Sequence, residues 1–204
     1  MKQKTFSVIV ILLSLIILPV SSQTEKGKWV FSGRSAFDFA YSANNAKGDN
    51  LSVNDYEALE VSGYTLNLTS GFGYFAIENL SIGGEISYFL SDADYENKTS
   101  QVLIMPTGTY YFCSGKVVRP LVALGVGYAN TSIEVPITWQ NKATKSFNGL
   151  AWGVGLGGAF FIKDNISIDL LAQYMEIHSQ YSDDSSVKLR TNGLGASVGF
   201  SIYF

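Results

Sequence analysis

His178 and Ser179, with Glu176 two residues earlier, come closest in this 204-residue chain to a hydrolytic constellation. A histidine activates a serine hydroxyl only within hydrogen-bond reach. Adjacent residues on an extended strand point to opposite faces, so on a strand these two cannot act together, and His178 is expected at a rim. A single His excludes a two-histidine metal site, and a single Cys, Cys113, excludes an internal disulfide or a Cys-based zinc site. Asp49, Asp55, Glu57, Asp92, Asp94, Glu96, Asp183 and Asp184 are acidic without EF-hand spacing and read as solvated surface. A formal charge of −3 offers no basic footprint for nucleic acid. No catalytic, cofactor-binding or metal-ligating residue is expected, and no cofactor.

The elements that would hold these residues are unusual for a soluble protein. The chain is 47% hydrophobic and 14% aromatic but only 15% charged, against about 25% charged in an average soluble domain. Lys2 and Lys4 precede an apolar run from Phe6 to Leu18, closed by Pro19-Val20-Ser21-Ser22. That is the layout of a signal peptide, residues 1–22, cleaved before Gln23. The run is short for a spanning helix, which needs roughly 20 residues. No Cys follows the cut, so no lipoprotein anchor is expected. Residues 23–204 read as one domain.

After residue 26 the apolar residues alternate at period 2, the mark of strands. Eight are expected: Gly27–Tyr41, Val61–Phe75, Leu80–Ser91, Gln101–Phe112, Pro120–Ala129, Leu150–Ile162, Ile166–Ile177 and Leu189–Phe204. Short connections at Ala76–Asn79, Cys113–Arg119 and Lys163–Asn165 alternate with long polar ones at Ser42–Glu60, Asp92–Ser100, Asn130–Gly149 and His178–Lys188. Short turns at one end and long loops at the other point to an antiparallel, up-and-down transmembrane β-barrel, short turns periplasmic and long loops extracellular. One face carries Leu, Ile, Val and aromatics for lipid. The other carries most strand glycines, as a lumen barely wide enough for side chains demands. Tyr41, Tyr88, Tyr128 and Tyr174 should form the outer aromatic belt. Trp29, Tyr74, Tyr110, Phe112, Phe160 and Phe204 should form the periplasmic one.

Five charges fall on the glycine-rich face: Arg34, Asp38, Glu85, Arg119 and Asp169. Buried charges normally pair. Arg34 and Glu85 stand at similar depth and should pair, with Asp38 or Asp169 as further acceptors for the guanidinium. Each downward strand ends in an inward aromatic (Phe75, Tyr111, Phe161 and Tyr203), so the lumen should be plugged near the periplasm.

The eight amphipathic strands, the Tyr74-Phe75…Glu78-Asn79-Leu80-Ser81-Ile82-Gly83 turn and the terminal Ser201-Ile202-Tyr203-Phe204 resemble the small outer-membrane β-barrels of Gram-negative bacteria, the OmpA-type and OmpX-type group. The resemblance implies residence in the outer membrane among its lipid and lipopolysaccharide. It also implies Phe204 as the signal read by the barrel-assembly machinery. It implies function less firmly than fold. The expected role is non-enzymatic: membrane integrity or surface contact with an unidentified ligand. A narrow porin-like channel for small solutes and a lipid-modifying enzyme are the alternatives.

Overall fold

The computed structural model describes residues 24–47, 63–93, 98–112, 117–138, 141–182 and 187–204, with side chains throughout except at 36–47, 63–65, 92–93, 135–138 and 141–142. Eight strands follow in order: β1 (Trp29–Lys47), β2 (Gly63–Ile77), β3 (Leu80–Ala93), β4 (Lys98–Tyr111), β5 (Val118–Thr138), β6 (Asn141–Lys163), β7 (Ile166–Tyr181) and β8 (Lys188–Tyr203). Each pairs antiparallel with the next, and β8 closes on β1 to complete the barrel. Closure leaves no sheet edge, the condition for a β-structure to stand in hydrocarbon.

The turn between β2 and β3 needs only Glu78 and Asn79, and Asn79 takes a φ of 64°, a left-handed conformation Asn tolerates. Its carbonyl accepts from the Tyr111 N–H at 2.9 Å, tying this turn to the end of β4.

Strand ends near the periplasm fall within two residues of expectation. At the far end the strands run on. Asn130–Gly149, expected as a long loop, is instead mostly ladder: β5 and β6 stay paired as far as Thr138↔Asn141. Similarly β1 reaches Lys47, paired with Lys188 of β8, and β7 reaches Tyr181. Beyond the bilayer both faces of a strand are wet, so the apolar–polar alternation fades while the backbone ladder continues. Loss of alternation therefore marks the exit from lipid and not the end of the strand. Among the described residues the β1–β2 ladder is the shortest, from Trp29↔Tyr74 to Ser35↔Leu68. Above it, β1 carries an irregularity between Phe37 and Tyr41 where it pairs with β8.

The two faces separate as the alternation requires. Leu124, Val126, Leu150, Leu156 and Leu194 are each at least 60% exposed on the outer wall. A belt of such residues around the barrel is tolerable only in lipid.

Candidate functional site

The lumen is built in three layers. Nearest the periplasm, Phe75, Tyr111, Phe161 and Tyr203 pack with Val30, Leu121, Ala159 and Leu171 into one buried cluster. Tyr203 is its hub, with ring centroids 5.1 Å from Phe161, 6.2 Å from Phe75 and 6.3 Å from Tyr111. Its hydroxyl donates to that of Tyr111 at 3.4 Å. The four rings meet because each ends a downward strand on the inward parity, so they share one height.

Arg119 belongs to this layer, on the ladder row that runs through Ala159 to Asp169. Its guanidinium lies 5.4 Å from the centre of the Phe161 ring and donates to Thr24 Oγ1, which donates in turn to Asn79 Oδ1 at 2.6 Å. Asn79 N–H donates to the Thr24 carbonyl at 2.9 Å. The few residues before β1 thus cross the periplasmic mouth, with Thr24 only 1% exposed. Sequence reasoning missed Thr24, since no pattern marks a residue outside the strands as part of the plug.

The middle layer is polar. Arg34 Nη2 and Glu85 Oε1 form an ion pair, with side chains 12% and 13% exposed. Asp169 faces the same cavity, but its carboxylate accepts from the hydroxyls of Ser167, at 2.6 Å, and Ser201. Either Asp38 or Asp169 is expected as a further acceptor for Arg34. Strand geometry favours the hydroxyls: Ser167 stands on β7 beside Asp169 and is register-paired with Ser201 of the adjacent strand, whereas Arg34 lies one strand further on, beyond Gly199. The cavity measures about 30 Å³ and is lined by Ser32, Ser81, Thr107, Thr109 and Ser201 as well as these charges. It has room and partners for a water or two. The side chain of Asp38 lies outside the described residues.

Above this layer Leu103, Met105, Ala129, Ala151 and Ile177 form a second buried apolar cluster, with Met175 against it. The sequence carries a signal for this upper layer. Leu103, Met105, Met175 and Ile177 all break the small-or-polar rule of the inward parity.

At the outer rim His178 is half-exposed while Ser179 is buried and donates to the Leu189 carbonyl at 3.3 Å. The two side chains point to opposite faces, so His178 does not serve Ser179 as a base. Glu176 is the unexpected member. Alternation places it on the lipid side with Tyr174 and His178, yet it is only 4% exposed. Its Oε1 accepts from Arg190 Nη2 at 2.6 Å and lies 2.5 Å from His178 Nε2, while Tyr174 donates to Oε2 at 3.3 Å. His178 and Arg190 face each other in the β7–β8 ladder, a register that no single strand's pattern reveals.

Aromatic belts flank the apolar wall. Trp29–Tyr74 at 5.0 Å and Tyr110–Phe112 at 4.9 Å lie toward the periplasm, with Trp152–Tyr174 at 5.5 Å at the outer end. Tyr88 and Tyr128 are exposed on the same outer wall, and the side chain of Tyr41 lies outside the described residues. Phe204 exchanges backbone hydrogen bonds with Trp29, at 2.9 and 2.7 Å, and its ring faces outward. Residues 1–23, Cys113 and most of the acidic loop residues lie outside the described residues. Among the described residues no group of three His, Cys, Asp or Glu is placed to hold a metal ion.

A closed eight-stranded ring with an apolar outer wall, two aromatic belts and a filled lumen is an outer-membrane β-barrel. The chain belongs to the outer membrane protein beta-barrel domain family, whose model matches residues 8–201. It is 31% identical over 101 residues to outer membrane protein PagN of Salmonella typhimurium, a match covering 46% of this chain and 42% of PagN. The chain therefore spans less than half of that relative's length. The crystal structure of OprG from Pseudomonas aeruginosa superposes with a TM-score of 0.57 at 13% identity, over 89% of this chain and 98% of OprG. Neisserial surface protein A superposes at 0.52 and 16% identity, over 88% of this chain and 98% of that one. These two likenesses carry the fold alone. The protein resides in the outer membrane and its wall contacts outer-membrane lipid.

Proposed function

We propose that this barrel acts through its exterior, as a structural and surface-contact protein of the outer membrane, with a lumen closed to solutes and no catalytic centre. The layered filling of the lumen carries the reading. A buried aromatic floor, an ion-paired middle and an apolar upper layer stand in series where a channel would need one continuous wet path. The divergence of His178 and Ser179 supports the non-enzymatic part. The strands that rise beyond the bilayer, above all the β5–β6 hairpin, supply the presenting surface. Planar-bilayer recording of the purified barrel is expected to show no discrete conductance steps. Reproducible steps would replace this reading with the narrow channel.

The proposal includes residues 1–22 as a cleaved signal peptide ahead of a barrel domain at 23–204, and long connections that face the cell exterior. Protease added to intact cells is expected to cut first between β1 and β2, across 48–62, the longest connection between strands. The paired β5–β6 hairpin should resist longer than its polar sequence suggests. Cleavage at Lys163 in intact cells, with 48–62 untouched, would invert the topology.

Phe204 has two roles in this reading, as a ring of the periplasmic belt and as the terminal signal for the assembly machinery. Phe204→Asp is expected to lower the amount of heat-modifiable barrel in the outer membrane several-fold, because it places a charge where the wall meets lipid. Wild-type barrel levels from Phe204→Asp would remove both roles.

A further inference from the structure

Glu176 is a carboxylate on the membrane side of the barrel, where a bare charge is costly. It is shielded by the two side chains that share its Oε1, Arg190 at 2.6 Å and His178 at 2.5 Å. Holding both on one oxygen fixes them side by side, and each is still 55% exposed on its free side. We propose that this outward wall of β7 and β8 is a seat for the phosphate of an outer-leaflet glycolipid, with Arg190 as the donor, the His178 ring beside it and Glu176 as their positioning residue.

Height decides the ligand. His178 is twelve positions along from Ile166, the first residue of β7. At about 3.3 Å per residue and a tilt of about 40°, that is roughly 30 Å above the periplasmic turn. The apolar band of such barrels is about 25 Å tall, so the cluster lies just past it, at headgroup level. The Trp152–Tyr174 ring pair, with Trp152 register-paired to Glu176, marks the same boundary.

Charge points the same way. Lys188 stands on the same face as Arg190, two residues nearer the cell exterior, so among the described residues two permanent cations and a histidine stand with one carboxylate on this wall. Across β4 and β5, by contrast, Lys98 is register-paired with Glu134. A guanidinium has five N–H donors, and the contact to Glu176 through Nη2 leaves others for a planar, bidentate grip on phosphate. A soluble anion would have no reason to prefer the lipid-side wall, whereas a headgroup phosphate is confined to that depth.

The chain's composition makes the test site-specific. His178 is the only histidine. Arg34 and Arg119 stand inside the barrel, 12% exposed in its side chain and 6% overall, so Arg190 is the arginine of the outer wall. The barrel labelled with nitrogen-15 in Arg and His would be placed in bilayers of dephosphorylated lipid A, with one bis-phosphorylated lipid A molecule per barrel. Magic-angle-spinning NMR then reads dephasing of nitrogen by phosphorus. The expected result is dephasing of the His178 ring and of one arginine in three, retained at this high dilution, with Arg190→Gln abolishing the arginine part. Dephasing that simply falls in proportion to dilution would mean casual headgroup contact and would overturn the site. Dephasing by inorganic phosphate alone, without phosphorylated lipid, would overturn the assignment to lipid. Because the main reading is made on the wild-type barrel, a poorly folding variant would not blunt it.

Discussion

Gly157→Ala should leave almost no folded barrel. A methyl group built at Gly157, which faces the lumen on β6, falls 1.9 Å from the Leu170 carbonyl oxygen of β7 and 2.9 Å from Leu171 Cα. Both are backbone atoms of the adjacent strand, so no side-chain rotation relieves the clash. The ladder through Gly157↔Leu171 must either part or shift. Gly83 on β3 has the same problem, its added carbon meeting the Phe72 carbonyl oxygen at 1.9 Å and Gly73 Cα at 2.6 Å. Inward glycines of this kind let the sheet bend sharply enough to close. The cost is on the order of 4 kcal/mol or more, the range in which single substitutions abolish folding. Gly108→Ala is the internal control: it stands on β4 facing outward, with nothing within 4 Å of the added carbon. Heat-modifiable barrel in the outer-membrane fraction, and refolding yield in lipid, should fall to background for Gly157→Ala and stay unchanged for Gly108→Ala. Normal yield from Gly157→Ala would mean that β6 and β7 do not approach as closely as described.

Replacing Glu85 by Ala should destabilise the barrel by about 3 kcal/mol, because it leaves the Arg34 guanidinium mostly buried without its counter-charge. The neighbouring cavity admits a water or two, which holds the loss toward the lower end of the range for buried pairs. Arg34→Met combined with Glu85→Ala should recover most of the loss. The pair matters chiefly when one half is missing, and an apolar replacement of both is often near neutral. Urea unfolding in lipid vesicles measures both variants. A loss below about 1 kcal/mol in Glu85→Ala would mean the site is wet and the ion pair solvated, which would also weaken the case for a closed lumen.

Much of this architecture is legible along the chain because lipid is a demanding solvent. Leu124, Val126, Leu150 and Leu156 had to face outward, and the glycines between them inward, whichever strands became neighbours. Hence the eight strands, the two faces and the periplasmic aromatic layer of Phe75, Tyr111, Phe161 and Tyr203 follow from alternation and strand direction alone. The depth match of Arg34 and Glu85 follows too, since both lie on strands adjacent to β2 and a similar number of residues above the periplasmic end.

Tertiary structure decided whatever depends on how separate strands slide past one another. Asp169 meets Ser201 because β7 and β8 stand in one particular register, whereas Ser167 lies two residues along its own strand. The same register brings Arg190 to Glu176 and His178. Thr24 reaches Arg119 and Asn79 because the ring closes and brings β1, β5 and the β2–β3 turn to one mouth. The continuation of β5 and β6 beyond the bilayer was hidden for a different reason. Once both faces are in water, hydrogen bonding holds the ladder together, and backbone hydrogen bonds leave no period in the side chains. Alternation records the solvent on each side of a strand, and register records which strand lies beside it. One chain read in order carries the first and not the second.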